Sequence, residues 1–282
     1  MDQRAVSIAT IETEESRRAV QLLQVDVRRK VALEQGGIPT FFDNLLLKDR
    51  NAIIHKYLGM PLLSRYIQFK NRDRFARYSN RASESRCWRS LPWEPMPAQL
   101  CASQGVDRCL TWRNLPLFKT VFDFALYPML VFEIKPASII ELGTGPGGSA
   151  LWFADLLSNF QIDGRVYSLD VRKPPLQDSR IVFIEGDGLE IELVGQRFGL
   201  TGLPHPWLVI EDMHINTLGV LRYFSAAALP GDYLIVEDSV GKQKDLAAFD
   251  QESGDKFRVD SRYMDFFGRN ATCSKDSIFV KV

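Results

Sequence analysis

Ile139-Ile140-Glu141-Leu142-Gly143-Thr144-Gly145-Pro146-Gly147-Gly148-Ser149 reads as an apolar strand, a glycine-rich turn, and the start of an apolar helix that continues from Ala150. Glycines at 143, 145, 147 and 148 allow positive φ and let a ligand reach the backbone with no Cβ in the way. The free N–H groups of the helix start face the same point. The corner therefore predicts a site for a polar, nucleoside-bearing cofactor.

Gly143, Gly145 and Gly148 satisfy G-x-G-x-x-G, and Asp170 ends the next apolar run, roughly twenty residues on. On spacing alone this is equally a dinucleotide site. Glu141 argues against it: a carboxylate before the glycines repels a pyrophosphate, whereas it suits the amine-bearing tail of S-adenosylmethionine (SAM). A set of acids further along, which a nicotinamide enzyme does not need, points the same way. A glycine-rich turn without a ligand is the bland alternative.

Outward from this corner, strands and helices alternate. A helix from Leu117 to Ile134 precedes Pro136. Strands are then predicted at 138–142, 165–170, 181–185, 207–211, 232–237 and 277–282, with helices at 149–160, 188–197 and 216–228. This order implies an α/β fold with a Rossmann-like, doubly wound, mainly parallel sheet that binds ligands at the carboxyl ends of its strands. Residues 1–110 differ. They carry helical patterning (18–23, 52–58), then an Arg-, Ser-, Pro- and Trp-rich stretch from about 69. We expect a helical N-terminal region at 1–110, acting as a lid or as a contact between copies of the chain, and a cofactor-binding domain at 111–282.

The strand ends carry Glu141, Asp170, Asp187, Glu211-Asp212 and Glu237-Asp238. Carboxylates crowded on one rim repel unless a positive group sits among them. Asp170 is placed to accept ribose hydroxyls. Asp187, in Gly186-Asp187-Gly188, lies where an adenine edge is expected, although Gly-Asp-Gly is also an ordinary turn. Asp212, Glu237 and Asp238 lie beyond the nucleoside; three hard oxygen donors describe a site for Mg²⁺ or another hard divalent cation. The alternative is that these acids cap helices and pair with nearby bases. His214, two residues past Asp212, is a candidate proton acceptor alongside it, or a neighbour that only supports the acids. Lys242 is a further candidate base, and Trp112, Phe118 and Tyr127 are candidate pocket walls.

The chain has 282 residues, is 45% hydrophobic, and balances 35 basic against 35 acidic side chains. It can bury a full core and has no charge bias toward nucleic acid or an anionic membrane. The charged N-terminus lacks the apolar centre of a signal peptide, so a cytoplasmic location is expected. Cys87, Cys101, Cys109 and Cys273 show no C-x-x-C spacing and predict free thiols.

The run Trp112…Lys119…Asp123…Tyr127, Lys135-Pro136 and the glycine corner resembles the cephalosporin hydroxylase/rhamnosyl O-methyltransferase family of class I SAM-dependent methyltransferases. The block VIEDMHINTLGVLRYFSAAALPGDYLIVEDSV is similar to the same family and to macrolide-sugar O-methyltransferases, and the terminal KFRVDSRYMDFFGRNATCSKDSIFVKV looks like the family's closing hairpin. The resemblance spans roughly 110–282. It implies a SAM site that includes Glu141, Gly143, Gly145, Ser149 and Asp170, metal ligands Asp212, Glu237 and Asp238, and O-methylation of a small natural product of sugar or polyketide type. His214 stands where the sugar enzymes tend to carry tyrosine. A SAM-binding enzyme that does not methylate, such as a cyclase or a hydroxylase-associated protein, and an NAD-dependent oxidoreductase are the alternatives.

Overall fold

The computed structural model describes residues 73–81, 104, 109–267 and 270–282. The helical segments expected at 18–23 and 52–58, and most of the 69–110 stretch, lie outside the described residues.

Among the described residues the elements follow in chain order. β1 is Phe75–Ala76 and α1 Tyr78–Arg81; β2 (Thr111–Trp112) and β3 (Leu115–Pro116) form a small hairpin. α2 is Val121–Ile134, β4 Ser138–Leu142, α3 Gly148–Asn159, β5 Arg165–Asp170 and β6 Ile181–Glu185. α4 is Ile191–Phe198, β7 Trp207–Glu211, α5 Thr217–Ala227 and β8 Tyr233–Val236. The chain closes with α6 (Gln243–Ser253), β9 (Phe257–Asp260), α7 (Ser261–Met264) and β10 (Ile278–Lys281).

The main sheet has the order β1-β9-β10-β8-β7-β4-β5-β6. β8, β7, β4, β5 and β6 run parallel, and β10, β9 and β1 add an antiparallel edge. β4 lies between β5 and β7, with Ile139 paired to Val166 on one side and Leu208 on the other. The chain order reverses at β4, which opens a crevice at its carboxyl end. Every residue of β4, β7 and β8 is buried, so these strands read as unbroken apolar runs rather than alternations. Trp152, Phe153, Trp207 and Phe224 are among the largest fully buried side chains. Truncating one such aromatic to alanine typically costs about 3–5 kcal/mol.

The strands around the corner match their predicted limits. α2 begins later than predicted: Thr120 caps it, its hydroxyl accepting from the Asp123 N–H, so Leu117–Lys119 remain outside the helix. Its C-cap, Lys135, is left-handed, and the following Pro136 cannot extend it. α6 and β9 were not predicted as elements. α6 buries only Leu246, Phe249 and Asp250 along a charged sequence, too narrow a stripe to stand out. β9 and β10 pair antiparallel, forming the closing hairpin.

Residues 73–81 fasten the antiparallel edge. β1 pairs with β9, Arg74 Nε reaches Asp260, and buried Arg81 donates to Asp276 Oδ1 (2.7 Å) and Asp265 Oδ2 (2.9 Å). Cys109 and Cys273 are free and partly buried. Among the described residues no helix is long and apolar enough to cross a membrane.

Candidate functional site

The corner after β4 is held by backbone contacts. Gly143, Gly145 and Gly147 have φ of +111°, +51° and +89°. A Cβ on Gly143 would lie 2.7 Å from the carbonyl oxygen of Asp212. That close approach brings the glycine turn against the end of β7, and only glycine allows it. Gly148 admits the β2–β3 hairpin in the same way: a Cβ there would lie 2.0 Å from the Pro116 oxygen. A Cβ on Gly145 meets nothing within 4 Å, because that residue faces open space.

The open space is a cleft of about 480 Å³ lined by Gly143, Gly145, Asp170, Gly188, Asp212–Ile215 and Asp238, with Phe118 and Gln104 at its side. Asp170 accepts from the Gly145 N–H through Oδ2 (2.9 Å) and lines the cleft. Ser149 sits half-buried in the first turn of α3. Asp187 caps the turn at 188–190 by accepting from the Leu189 N–H (2.9 Å), and its neighbour Gly188 lines the cleft.

Glu141 lies buried in β4. Ser168 Oγ donates to its Oε2 (2.5 Å), and Ser168 in turn bonds Thr144. Its Oε1 is buried and makes no well-formed hydrogen bond, although the Ser149 hydroxyl is close enough to favour the charged form. Burial pushes the carboxyl up to about 7, with the Lys119 charge pulling the other way. A buried acceptor beside the glycine turn with room for a further donor fits the amino group of a SAM-like cofactor.

The far wall comes from β7 and β8. Glu211, buried at the end of β7, accepts from the N–H groups of Met213 and His214 (both 3.2 Å), from Thr217 Oγ1 (3.1 Å) and from Lys242 Nζ (2.8 Å). It holds the 212–217 turn, in which His214 is left-handed at φ +61°. Lys242 is tied down by Glu211 and the Glu237 carbonyl, so it is neither solvated nor at the cleft. Asp238 is also left-handed, at φ +45°, and half-exposed. Such conformations cost about 1–3 kcal/mol each and persist where surrounding structure enforces them.

Beneath the rim lies a cation that the sequence placed in the family-like run but to which it assigned no role. Lys119, 2% exposed, donates to Asp212 Oδ2 (3.1 Å) and to Glu237 Oε2. Tyr127 donates to Glu237 Oε1 (2.5 Å), so both oxygens of this buried carboxylate are engaged. Burial opposes the Lys119 charge, but Glu237, Asp212 and Glu141 overcome it and hold the amine well above its ordinary value. Burial, aided by repulsion from Asp212, pushes Glu237 well above the carboxylate range despite Lys119. Burial also acts against Asp212, yet Lys119 keeps it below its ordinary value.

On the cleft side, Asp212, His214 and Asp238 each present one donor atom, all within 4.8 Å of one another. His214 Nε2 is 3.6 Å from Asp212 Oδ1 and 3.7 Å from Asp238 Oδ2. Two carboxylates and an imidazole gathered this closely are a donor set of the kind that holds a divalent ion. Of the predicted acids, Asp212 and Asp238 meet at the cleft, and Glu237 lies behind them with Lys119. Phe118 lines the cleft, Tyr127 reaches Glu237, and Trp112 bonds Asp155 instead (2.8 Å).

A family profile described as Rhamnosyl O-methyltransferase/CmcI matches residues 104–257. The chain is similar to a rhamnosyl O-methyltransferase of Mycobacterium leprae, 28% identical over 144 residues, covering 46% of this chain and 60% of that protein. It thus matches less than two thirds of that relative's length. A rhamnosyl O-methyltransferase of Mycobacterium bovis is 23% identical over 180 residues, covering 56% of this chain and 73% of the relative. Among solved structures, a CmcI structure described as apo superposes with a TM-score of 0.54 at 22% identity, covering 76% of this chain and 99% of the other. One described as Mg-SAM gives 0.53 at 22% identity, covering 80% and 97%. These two share the fold.

Proposed function

The chain belongs to the Rhamnosyl O-methyltransferase/CmcI family of SAM-dependent methyltransferases, and we propose that it methylates a hydroxyl of a small natural product, of sugar or polyketide type, with the help of a divalent cation. The observation that carries this reading is one cleft that joins the glycine corner and Asp170 to Asp212, His214 and Asp238. A nucleoside site and an acidic rim in one cleft suit a reaction between a bound cofactor and an acceptor oxygen.

Gly143 and Gly145 leave the backbone open for the nucleoside, Asp170 offers an oxygen to its hydroxyls, and Glu141 Oε1 offers a buried acceptor to an amine. Gly147, Ser149 and Asp187 shape the same end. Asp212 and Asp238 supply hard oxygen donors at the acceptor end. Bound SAM would supply an electrophilic methyl group, and a hard divalent cation would orient and acidify the acceptor hydroxyl. Methyl transfer is an in-line displacement, so the rim must fix the acceptor oxygen's direction. His214, beside Asp212 at the cleft, would take the hydroxyl proton.

The test is methyl transfer from labelled SAM to a panel of glycosides and polyketide alcohols, with and without chelator. Transfer lost on chelation and restored by a divalent salt supports the proposal. SAM binding without turnover across the panel would favour a non-methylating SAM enzyme, and binding of NADH in place of S-adenosylhomocysteine would overturn the reading.

A further inference from the structure

We propose that Phe118 selects the acceptor by stacking against one face of the ring that carries the hydroxyl, so that cyclic alcohols with an apolar ring face are taken in preference to open-chain ones. The proposal rests on the methyl-transfer reading above and deepens it by naming the residue that sorts acceptors and the shape for which it sorts.

Local backbone chemistry puts the ring in the cleft. The Lys119 N–H donates to the Leu117 carbonyl (2.9 Å), which makes a three-residue turn with Phe118 at its apex. The Leu117 N–H donates in turn to the Leu110 carbonyl (2.7 Å), and the side chains of Leu117 and Lys119 are both buried. With its neighbours fixed inward, the apex side chain is sent outward. Phe118 is 50% exposed, and it lines the cleft that also contains His214 and Asp238. Lys119, one residue on, reaches Asp212 (3.1 Å), which ties Phe118 to the acidic end of that cleft.

The nearby aromatics of α2 are engaged in the fold, whereas Phe118 is not. Phe122 packs on Phe267 (5.0 Å between ring centres) and Phe124 stacks on Trp152 (5.1 Å), but among the described residues no ring or cation stacks on Phe118. A lone exposed phenylalanine on a convex surface is ordinary; one held in a concave site beside polar groups is placed to contact a ligand. Acidic and imidazole groups together with a flat apolar ring suit an acceptor of the same two-sided make, with oxygens along its edge and C–H or π surface across its face. A saturated ring and an aromatic ring share that chemistry, and face contacts with an aromatic side chain contribute beyond buried area alone. An open chain must first be ordered to present such a face, which weakens its binding.

The experiment titrates the full chain, with S-adenosylhomocysteine and Mg²⁺ present, by ligand-observed NMR. The probes are cyclohexane-1,2-diol as a saturated ring, 1,2-dihydroxybenzene as a flat one, and butane-2,3-diol as an open chain. We expect the better of the two rings to bind about five- to tenfold more tightly than the open diol, and its identity shows which kind of face is read. Phe118→Ala should remove that margin, Phe118→Leu should remove most of it by keeping bulk without a flat face, and Phe118→Tyr should keep it. In turnover, Phe118→Ala should raise KM for ring alcohols by the same factor while kcat is retained. S-adenosylhomocysteine affinity should match the wild type in all three variants, and if Phe118→Ala folds poorly the comparison of Leu with Tyr decides. Equal affinity for ring and open diols in the wild type, a margin that survives Phe118→Ala, or no binding of any probe would overturn the proposal. A parallel loss of S-adenosylhomocysteine affinity would also overturn it, by assigning Phe118 to the cofactor. Methyl transfer separates the two readings: a ring preference that needs Phe118 but comes with no transfer defeats the methylation reading alone, whereas transfer to rings and open chains alike defeats only the role of Phe118.

Discussion

The glycine corner at 141–149 and the charged rim at 211–214 and 237–238 stand at the ends of neighbouring strands, but they are built by different means. The corner is specified by what is missing, since Gly143 is needed where a Cβ would strike the Asp212 carbonyl. The rim is specified by long-range pairing, with Lys119 drawn from before α2 to meet Asp212 and Glu237 from two later strands. A corner made of backbone is written locally. A rim made of side chains depends on where the fold carries them.

Gly145→Val tests the corner most severely. A Cβ there meets no protein atom within 4 Å and points into the cleft, and the left-handed φ costs a branched side chain about 1–2 kcal/mol. Binding of S-adenosylhomocysteine should fall below detection while the melting temperature drops only a few degrees. Retained affinity would show that the corner does not hold the nucleoside.

Lys119→Met strikes the rim instead. Removing one partner of a buried ion pair costs about 3–5 kcal/mol, and adding Glu237→Gln should recover part of that loss in urea unfolding. If the single variant is as stable as the wild type, Lys119 does not organise the rim.

Asp212→Asn should lower divalent-ion affinity by about 10–100-fold, measured by calorimetry, and barely change S-adenosylhomocysteine affinity. Equal losses of both would mean that the two regions are not separable. Normal turnover by this variant after chelation would remove the metal from the reaction.

The smallest effect is in protons. Glu141 is raised from 4.5 to about 7 in the folded chain. Its contribution to stability is therefore fully present below pH 4.5 and is lost as the pH rises through about 7. A cationic amine docking on Oε1 would favour the carboxylate, so cofactor binding near pH 7 should release a fraction of a proton. Binding heats measured in two buffers of different ionisation enthalpy will reveal it. Heats that match in wild type, or that differ equally in Glu141→Gln, would contradict this docking.

The sheet was legible because β4 and β7 are short apolar runs closed by acids and bounded by glycine or proline. α6 was hidden because Leu246 and Phe249 give one turn of apolar signal among charges. The late start of α2 had a local sign, Thr120 followed three residues later by Asp123, which a capping search would catch. Lys119 was visible only as a member of the run Trp112…Lys119…Asp123…Tyr127, since nothing near residue 119 indicates that its amine will be buried between Asp212 and Glu237. For the same reason Glu237 and Asp238, adjacent in sequence, read as equivalent oxygen donors. The left-handed backbone of Asp238 separates them, turning Asp238 to the cleft while Glu237 meets Lys119 inside.

The clasp of Arg81 on Asp265 and Asp276 bears on where the chain can be cut. The family-matched span begins at residue 104, yet β1, Arg74 and Arg81 secure the last strands of the sheet from upstream of it. A fragment trimmed to begin at 104 would shed that guanidinium and bare the β9 edge, inviting strand-to-strand aggregation. Any shortened version meant for crystals or assays should therefore start before Asp73.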